Sequence, residues 1–170
     1  MLVAAMNPCP CGYLTDATRR CTCSGQAVER YMARVSGPIL DRIDIHVDVP
    51  AVGNRELLDS SAPAESSVEV ARRVNRAREI QKARYSGIEG LHANAHLKPR
   101  QIQTHCALDE QGTRILRRAV DAFGFSARAF HRILKVARTI ADLAGAEHID
   151  ARHISEAVQY RTLDRAPRMQ

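Results

Sequence analysis

The chain reads as a mainly α-helical protein with a small α/β remnant at its N-terminal end. Three observations predict this. Hydrophobic residues make up 45% of the 170 but aromatics only 4%, with no Trp, so the core is built from Leu, Ile, Val and Ala, which suits helix packing. From about residue 66 onward, apolar residues recur at helical spacing between capping residues. Ahead of that point, residues 2–7 and 43–49 carry the patterning of two strands.

The elements follow in order. Leu2, Val3, Ala4, Ala5 and Met6 form a continuous apolar run, which predicts a buried parallel strand ended by Asn7 and Pro8. Residues 8–25 make a loop rich in Cys, Gly and Pro, and 26–35 a short helix or turn broken by Ser36, Gly37 and Pro38. Ile43, Ile45, Val47 and Val49 alternate with Asp44, His46 and Asp48, a second strand that Pro50 ends. Residues 1–50 are thus the α/β part, and 51–65 a linker of Ala, Gly, Asn, Ser and Pro.

Residues 66–165 read as a bundle of four or five helices, with 166–170 a tail. Ser66 and Glu69 form a capping box that opens a helix over 68–85. Pro99 begins a short helix to 106. The next spans 109–123, with Ile115, Leu116, Ala119, Val120 and Phe123 on one face and Gly124 as its stop. Ser126 caps a helix whose apolar stripe is Phe130, Ile133, Leu134, Ala137, Ile140, Ala141 and Ala144, closed by Gly145. Asp150 caps the last, with Ile154, Ala157 and Val158 inward. There is no internal repeat.

The formal charge is +6, and it is unevenly placed. Residues 1–50 hold 5 Lys/Arg and 5 Asp/Glu, whereas 51–170 hold 20 and 14. A basic second half points to an anionic partner such as nucleic acid or nucleotide, or to a solvated helical surface. Arg72, Arg73, Arg76, Arg78, Lys82 and Arg84 concentrate on one helix, where they could track a phosphate backbone or simply face water. No run approaches the roughly 18 apolar residues of a membrane span, and the first six residues make a poor signal peptide, so a cytoplasmic protein is expected. The histidines are dispersed, and no G-x-S-x-G elbow is present.

Four cysteines, Cys9, Cys11, Cys21 and Cys23, stand as C-x-C, nine residues, C-x-C. Two thiolate pairs on one loop supply a tetrahedral S4 site of the kind zinc takes, with Pro10 and Gly12 allowing the tight turn. Unligated thiols, a disulfide loop or an iron–sulfur site are the alternatives. Cys106, beside Ala107 and Leu108, reads as a buried core thiol.

Three polar residues suit a phosphate. Asn7 stands at the carboxyl end of a buried strand, where open α/β sheets bind ligands and where turns also use Asn. Arg42 opens the second strand as an arginine finger or as an ion-pair partner of Asp41 or Asp44. Arg128 lies near a helix start, where its charge opposes the macrodipole unless an anion is nearby, or it is a plain surface arginine. The chain has no G-x-x-x-x-G-K-[ST] loop to cradle the phosphates themselves.

Three blocks in this order resemble one family: residues 2–12 around Asn7 and the first cysteines, 36–44 around Arg42, and 126–143 around Arg128. They are similar to the magnesium-chelatase-like AAA+ ATPases of the YifB/ComM type, over about residues 2–165. The resemblance implies the C-terminal part of an AAA+ core, with two parallel strands, followed by a helical lid. It implies that Asn7 is the first sensor, positioning the attacking water. Arg42 is then the arginine finger, acting in trans on a neighbouring subunit's ATP, and Arg128 the second sensor, on the γ-phosphate. It further implies ATP with Mg²⁺, hexameric rings and, for ComM-type members, a DNA helicase driving branch migration in competence. The chain begins at the family's fourth core strand. It is therefore expected neither to bind ATP tightly nor to hydrolyse it alone, and its two strands to leave apolar sheet edges open. The rival expectation is a non-enzymatic, zinc-stabilised basic helical module that binds nucleic acid.

Overall fold

Most of the helices begin where a side-chain oxygen can take a backbone N–H that has no partner inside the helix. The computed structural model describes residues 1–16, 18–50 and 65–161. Their helices are α1 (Gly25–Met32), α2 (Gly37–Leu40), α3 (Ser67–Arg84), α4 (Pro99–His105), α5 (Glu110–Phe123), α6 (Ala127–Leu143) and α7 (Ala151–Gln159), with a 3₁₀ turn at Asn94–His96. Ser66 and Glu69 cap α3 reciprocally: the Ser66 hydroxyl accepts the Glu69 N–H at 3.3 Å and the Glu69 carboxylate accepts the Ser66 N–H at 2.9 Å. The Asp109 carboxylate accepts the Gly112 N–H at 2.6 Å, the Ser126 hydroxyl that of Ala129 at 3.1 Å, and the Asp150 carboxylate that of Arg152 at 3.0 Å. Pro99 opens α4. Gly124, at φ 64°, ends α5 in the left-handed region where a side chain would be strained.

The described residues fall into two compact units, one from residues 1–40 and 48–50, the other from 41–47 and 65–161. In the helical unit α6 is central and packs against α3, α4, the 3₁₀ turn and α7, while α5 packs on α7. Its core joins Ile133, Leu134, Ala137 and Ala141 of α6 to Leu116, Ile154, Val158, Leu97 and Ile102. Ile133 and Ile154 are fully buried, each contributing about 1.5–3 kcal/mol of apolar burial. The expected α6 stripe holds along its centre. Phe130 and Ile140 are half-buried at its margins, and Ala144 is exposed past the helix end. Phe123, expected inward on α5, is 38% exposed at the last turn.

The first unit has no such core. Among its described residues only Cys9 is buried, and α1 buries nothing.

The two expected strands are not formed. No sheet occurs among the described residues; the one ladder contact is an isolated parallel bridge between Leu108 and Ile149. Leu2 and Val3 are about four-fifths exposed, as is Val49. A strand exists only where a neighbouring strand takes its N–H and C=O groups, and among the described residues neither segment pairs with one. Residues 43–47 instead lie along the helical unit. The His46 N–H donates to the Tyr160 carbonyl at 2.7 Å, and Arg161, itself buried, donates to the Ile43 carbonyl. Residues 51–64 of the expected 51–65 linker, and the stretch 162–170 with the expected tail, lie outside the described residues.

Candidate functional site

Two groups of side chains stand out, one in each unit. In the first unit the chain turns sharply after Cys9: the Gly12 N–H donates to the Cys9 carbonyl at 3.0 Å, and Gly12 takes φ 83°, a conformation that favours glycine. This turn and the return at residues 21–23 bring Cys9, Cys11, Cys21 and Cys23 together, all four sulfurs within 4.8 Å of one another. Cys9 Sγ lies 3.3 Å from Cys11 Sγ and 3.7 Å from Cys21 Sγ, and Cys11 Sγ lies 3.5 Å from Cys21 Sγ. Four sulfurs around zinc at about 2.3 Å would stand roughly 3.8 Å apart, so the cluster has nearly the dimensions of a closed S4 site. None of the four is joined to another by a disulfide bond here.

Backbone donors already shape the cluster's chemistry. The N–H groups of Tyr13 and Thr22 point at Cys11 Sγ and lower its pKa to about 6, against the cost of burial. The Cys11 N–H likewise favours a Cys23 thiolate. The neighbouring Cys11 sulfur, burial and the sulfurs of Cys9 and Cys21 outweigh it and push Cys23 up to about 12. Four thiols this close cannot all ionise unless a cation sits among them, and a divalent soft-to-borderline metal is the species that such a donor set fits. Asn7 is exposed and belongs to this unit; its amide lies 3.8 Å from where a Gly12 Cβ would stand.

In the helical unit the second group gathers at the start of α6. Asp41 accepts from the Ser126 hydroxyl at 2.7 Å and from Arg128 Nη1 at 3.1 Å, and Arg161 Nη2 lies 3.9 Å from it. Burial works against the Asp41 charge, but Ser126 and the two arginines outweigh it and hold the carboxyl below its ordinary value. One turn further along α6, Arg132 pairs with Asp44. Arg42, next to Asp41 in the chain, is exposed. Arg128 and the Asp41 carboxylate, far apart in sequence, thus meet at the start of α6, with Arg42 the next residue of the chain after Asp41. Asn7 lies in the other unit.

Sequence reasoning took Asp41 as a partner for Arg42 and passed over its hold on Ser126 and Arg128. It also missed the most buried polar cluster among the described residues. Asp142 receives Arg84 through two bonds, at 2.5 and 3.0 Å, Arg138 Nε at 3.1 Å and the Asn94 amide at 2.8 Å. Arg138 continues to the carbonyls of Ala146 and Glu147, and the Tyr85 hydroxyl donates to Asn94 at 2.6 Å. Only the helical i, i+4 spacing of Arg138 and Asp142 could have signalled it. Cys106, expected in the core, is 3% exposed, and burial pushes its thiol up to about 11.

Residues 64–161 match the family model described as magnesium chelatase, subunit ChlI C-terminal, and residues 1–57 that of magnesium chelatase, subunit ChlI. The chain is 42% identical over 164 residues to the competence protein ComM of Haemophilus influenzae and 41% identical to the YifB protein of Salmonella typhimurium. A Mycobacterium bovis protein is 32% identical over 160 residues. These alignments cover 94–96% of the chain and 31% of each relative, so the chain spans about a third of the length of these relatives.

Proposed function

The chain belongs to the magnesium-chelatase-like family of the YifB/ComM type, and on that premise we propose that it supplies the arginines and lid of an AAA+ ATP site in a ring coupled to DNA remodelling. The observation that carries this reading is the corner at Asp41. One carboxylate ties the backbone segment that carries Arg42 to the N-terminal turn of α6, where Arg128 stands.

Each role follows from the residue type. The Arg42 guanidinium is always charged, is exposed, and forks onto phosphoryl oxygens, as an arginine finger reaching a neighbouring subunit's ATP must. Arg128, 54% exposed at its side chain, can leave Asp41 for a γ-phosphate, and the N-terminus of α6 favours an anion there. Until then the Asp41 carboxylate holds the Arg128 guanidinium at the start of α6. Asn7 is the proposed water-orienting sensor. The β- and γ-phosphates and their Mg²⁺ would be cradled by a phosphate loop, a motif absent from these 170 residues, so turnover belongs to the assembled ring. Zn²⁺ on Cys9, Cys11, Cys21 and Cys23 would serve as a cross-link for the first unit, without a catalytic role, since four thiolates leave it no open position. The hexameric ring, the DNA partner and the part in competence rest on the family and on the printed name of the Haemophilus influenzae relative.

In rings of subunits that carry the phosphate loop, Arg42→Ala should lower kcat for ATP about 10³-fold with little change in ATP affinity. Arg128→Ala should weaken ATP binding as well. Turnover and affinity left intact in both variants would end this reading. A second reading, a zinc-stabilised basic module that binds nucleic acid without nucleotide, draws on the cations exposed along α3.

A further inference from the structure

Helix α3 of the helical unit is almost bare. Of its 18 residues only Ala77 and Gln81 are buried, and its sequence holds six cations against two carboxylates. Arg72, Arg73, Arg76, Arg78 and Lys82 are all exposed. The carboxylates do little to cancel them. Glu69 is committed to the capping box with Ser66. Glu79 stands 3.8 Å from Lys82 with both side chains more than 70% exposed, a pair that water largely screens. Glu65 holds Arg73 alone.

The spacing of the remainder is regular. Arg72 and Arg76 stand one turn apart, as do Arg78 and Lys82, so each pair places two charges about 6 Å apart along the axis on one face. Hydrophobic burial cannot be the reason for this composition, since Val68, Val70 and Val74 on the same helix are also exposed.

The Arg78 and Lys82 row runs into a cleft of about 600 Å³ at the C-terminal end of α3. Ile88, Leu91 and Tyr85 give it an apolar lining, and Glu79, Glu89 and His92 share that lining with the two cations. A cationic row that ends in an open, partly apolar hollow matches a polymer with an anionic backbone and flat, apolar-faced side groups. A paired duplex keeps those groups inside; a single strand presents them.

We propose that the exposed face of α3, through Arg72, Arg76, Arg78 and Lys82, and the adjoining cleft form a docking surface for a single-stranded nucleic acid. The proposal rests on the nucleic-acid partner named above and adds the surface and the strand state. Phosphates lie along the Arg72–Arg76 row and the Arg78–Lys82 row, about a third of a turn apart around the helix, and a base enters the cleft over Ile88 and Leu91.

The test is fluorescence anisotropy of the 170-residue chain with a labelled oligo-dT strand, titrated at several salt concentrations. Arg72→Glu/Arg76→Glu and Arg78→Glu/Lys82→Glu should each bind about tenfold more weakly and flatten the salt slope by about 1.4, that is, two phosphate contacts at about 0.7 each. Arg72→Lys/Arg76→Lys should keep wild-type binding, which separates lost charge from lost fold. Arg114→Glu/Arg118→Glu, exposed cations on α5, should change little. Wild-type binding that survives both α3 reversals, that falls equally with the α5 pair, or that prefers duplex overturns the proposal while leaving the nucleic-acid reading standing. A wild-type chain that binds no oligonucleotide at low salt removes that reading and this one together.

Discussion

The Asp142 side chain has no exposure to solvent, yet two guanidinium groups converge on it. Arg84 comes from the end of α3, Arg138 from one turn earlier in α6, and Asn94 from the 3₁₀ turn. Each partner also satisfies something else: Arg138 takes the carbonyls of Ala146 and Glu147 just past the end of α6, and Asn94 donates to Thr139 at 2.9 Å and accepts from Tyr85. A buried ion pair is not in itself a large gain, because desolvation offsets attraction. Removing one member is a different matter, since the other charges stay buried without compensation. Asp142→Ala should therefore cost about 3–5 kcal/mol in chemical denaturation, whereas Arg73→Ala, on an exposed pair, should cost under about 1 kcal/mol. Equal, small losses for both would mean that the network does not hold the helical unit together.

At the scale of elements, the segment 41–47 is the least self-sufficient piece of the helical unit. Val47 and Ile45 are 66% and 48% exposed, so apolar burial does not fix it. It is held by the Asp41 bonds to Ser126 and Arg128, by Asp44 with Arg132, and by His46 and Ile43 against Tyr160 and Arg161. The Asp41 carboxyl sits below its ordinary 3.8 when folded. Its contribution is thus complete above the ordinary value and is lost as pH falls through the lower folded one. Amide exchange followed by NMR should show the His46 N–H protected at about pH 5 and released below the ordinary carboxylate value, with Ile133 on α6 still protected. Asp41→Asn should leave His46 poorly protected at both. Loss of both amides in one step would show that the segment is not separately held.

The same segment marks where sequence legibility stopped. The helices of the 65–161 region were legible because Ser66, Asp109, Ser126 and Asp150 announce their starts and Gly124 a stop, all local chemistry. The cysteine cluster was legible for the same reason, its spacing being short. Residues 2–7 and 43–49 carry strand patterns, but a strand is a statement about a neighbour, and no local pattern supplies one. The Asp142 cluster was invisible because its members lie up to 58 residues apart in the chain.

At the scale of the molecule, the two units differ in what can hold them folded. The helical unit has a continuous core from Tyr85 to Val158. The first unit offers one buried side chain, Cys9, and short helices that bury nothing else. A segment of some 40 residues without an apolar core needs a staple, and free thiols grouped within 4.8 Å are the only staple in view among its described residues. Metal affinity is then folding free energy for that unit. Protein purified without chelator should carry close to one zinc per chain by elemental analysis. Removing it with a strong chelator should expose Cys9 to thiol reagents and abolish amide protection of the Gly12 N–H in the Cys9 turn. Cys106, buried in the helical core with its thiol pushed up to about 11, should stay unmodified, and the protection of Ile133 should not change. A metal-free protein in which Cys9 remains unreactive and Gly12 protected would show that the turn stands without a metal. Loss of Cys106 protection on chelation would instead mean that the helical core depends on the metal as well, which its own apolar packing argues against.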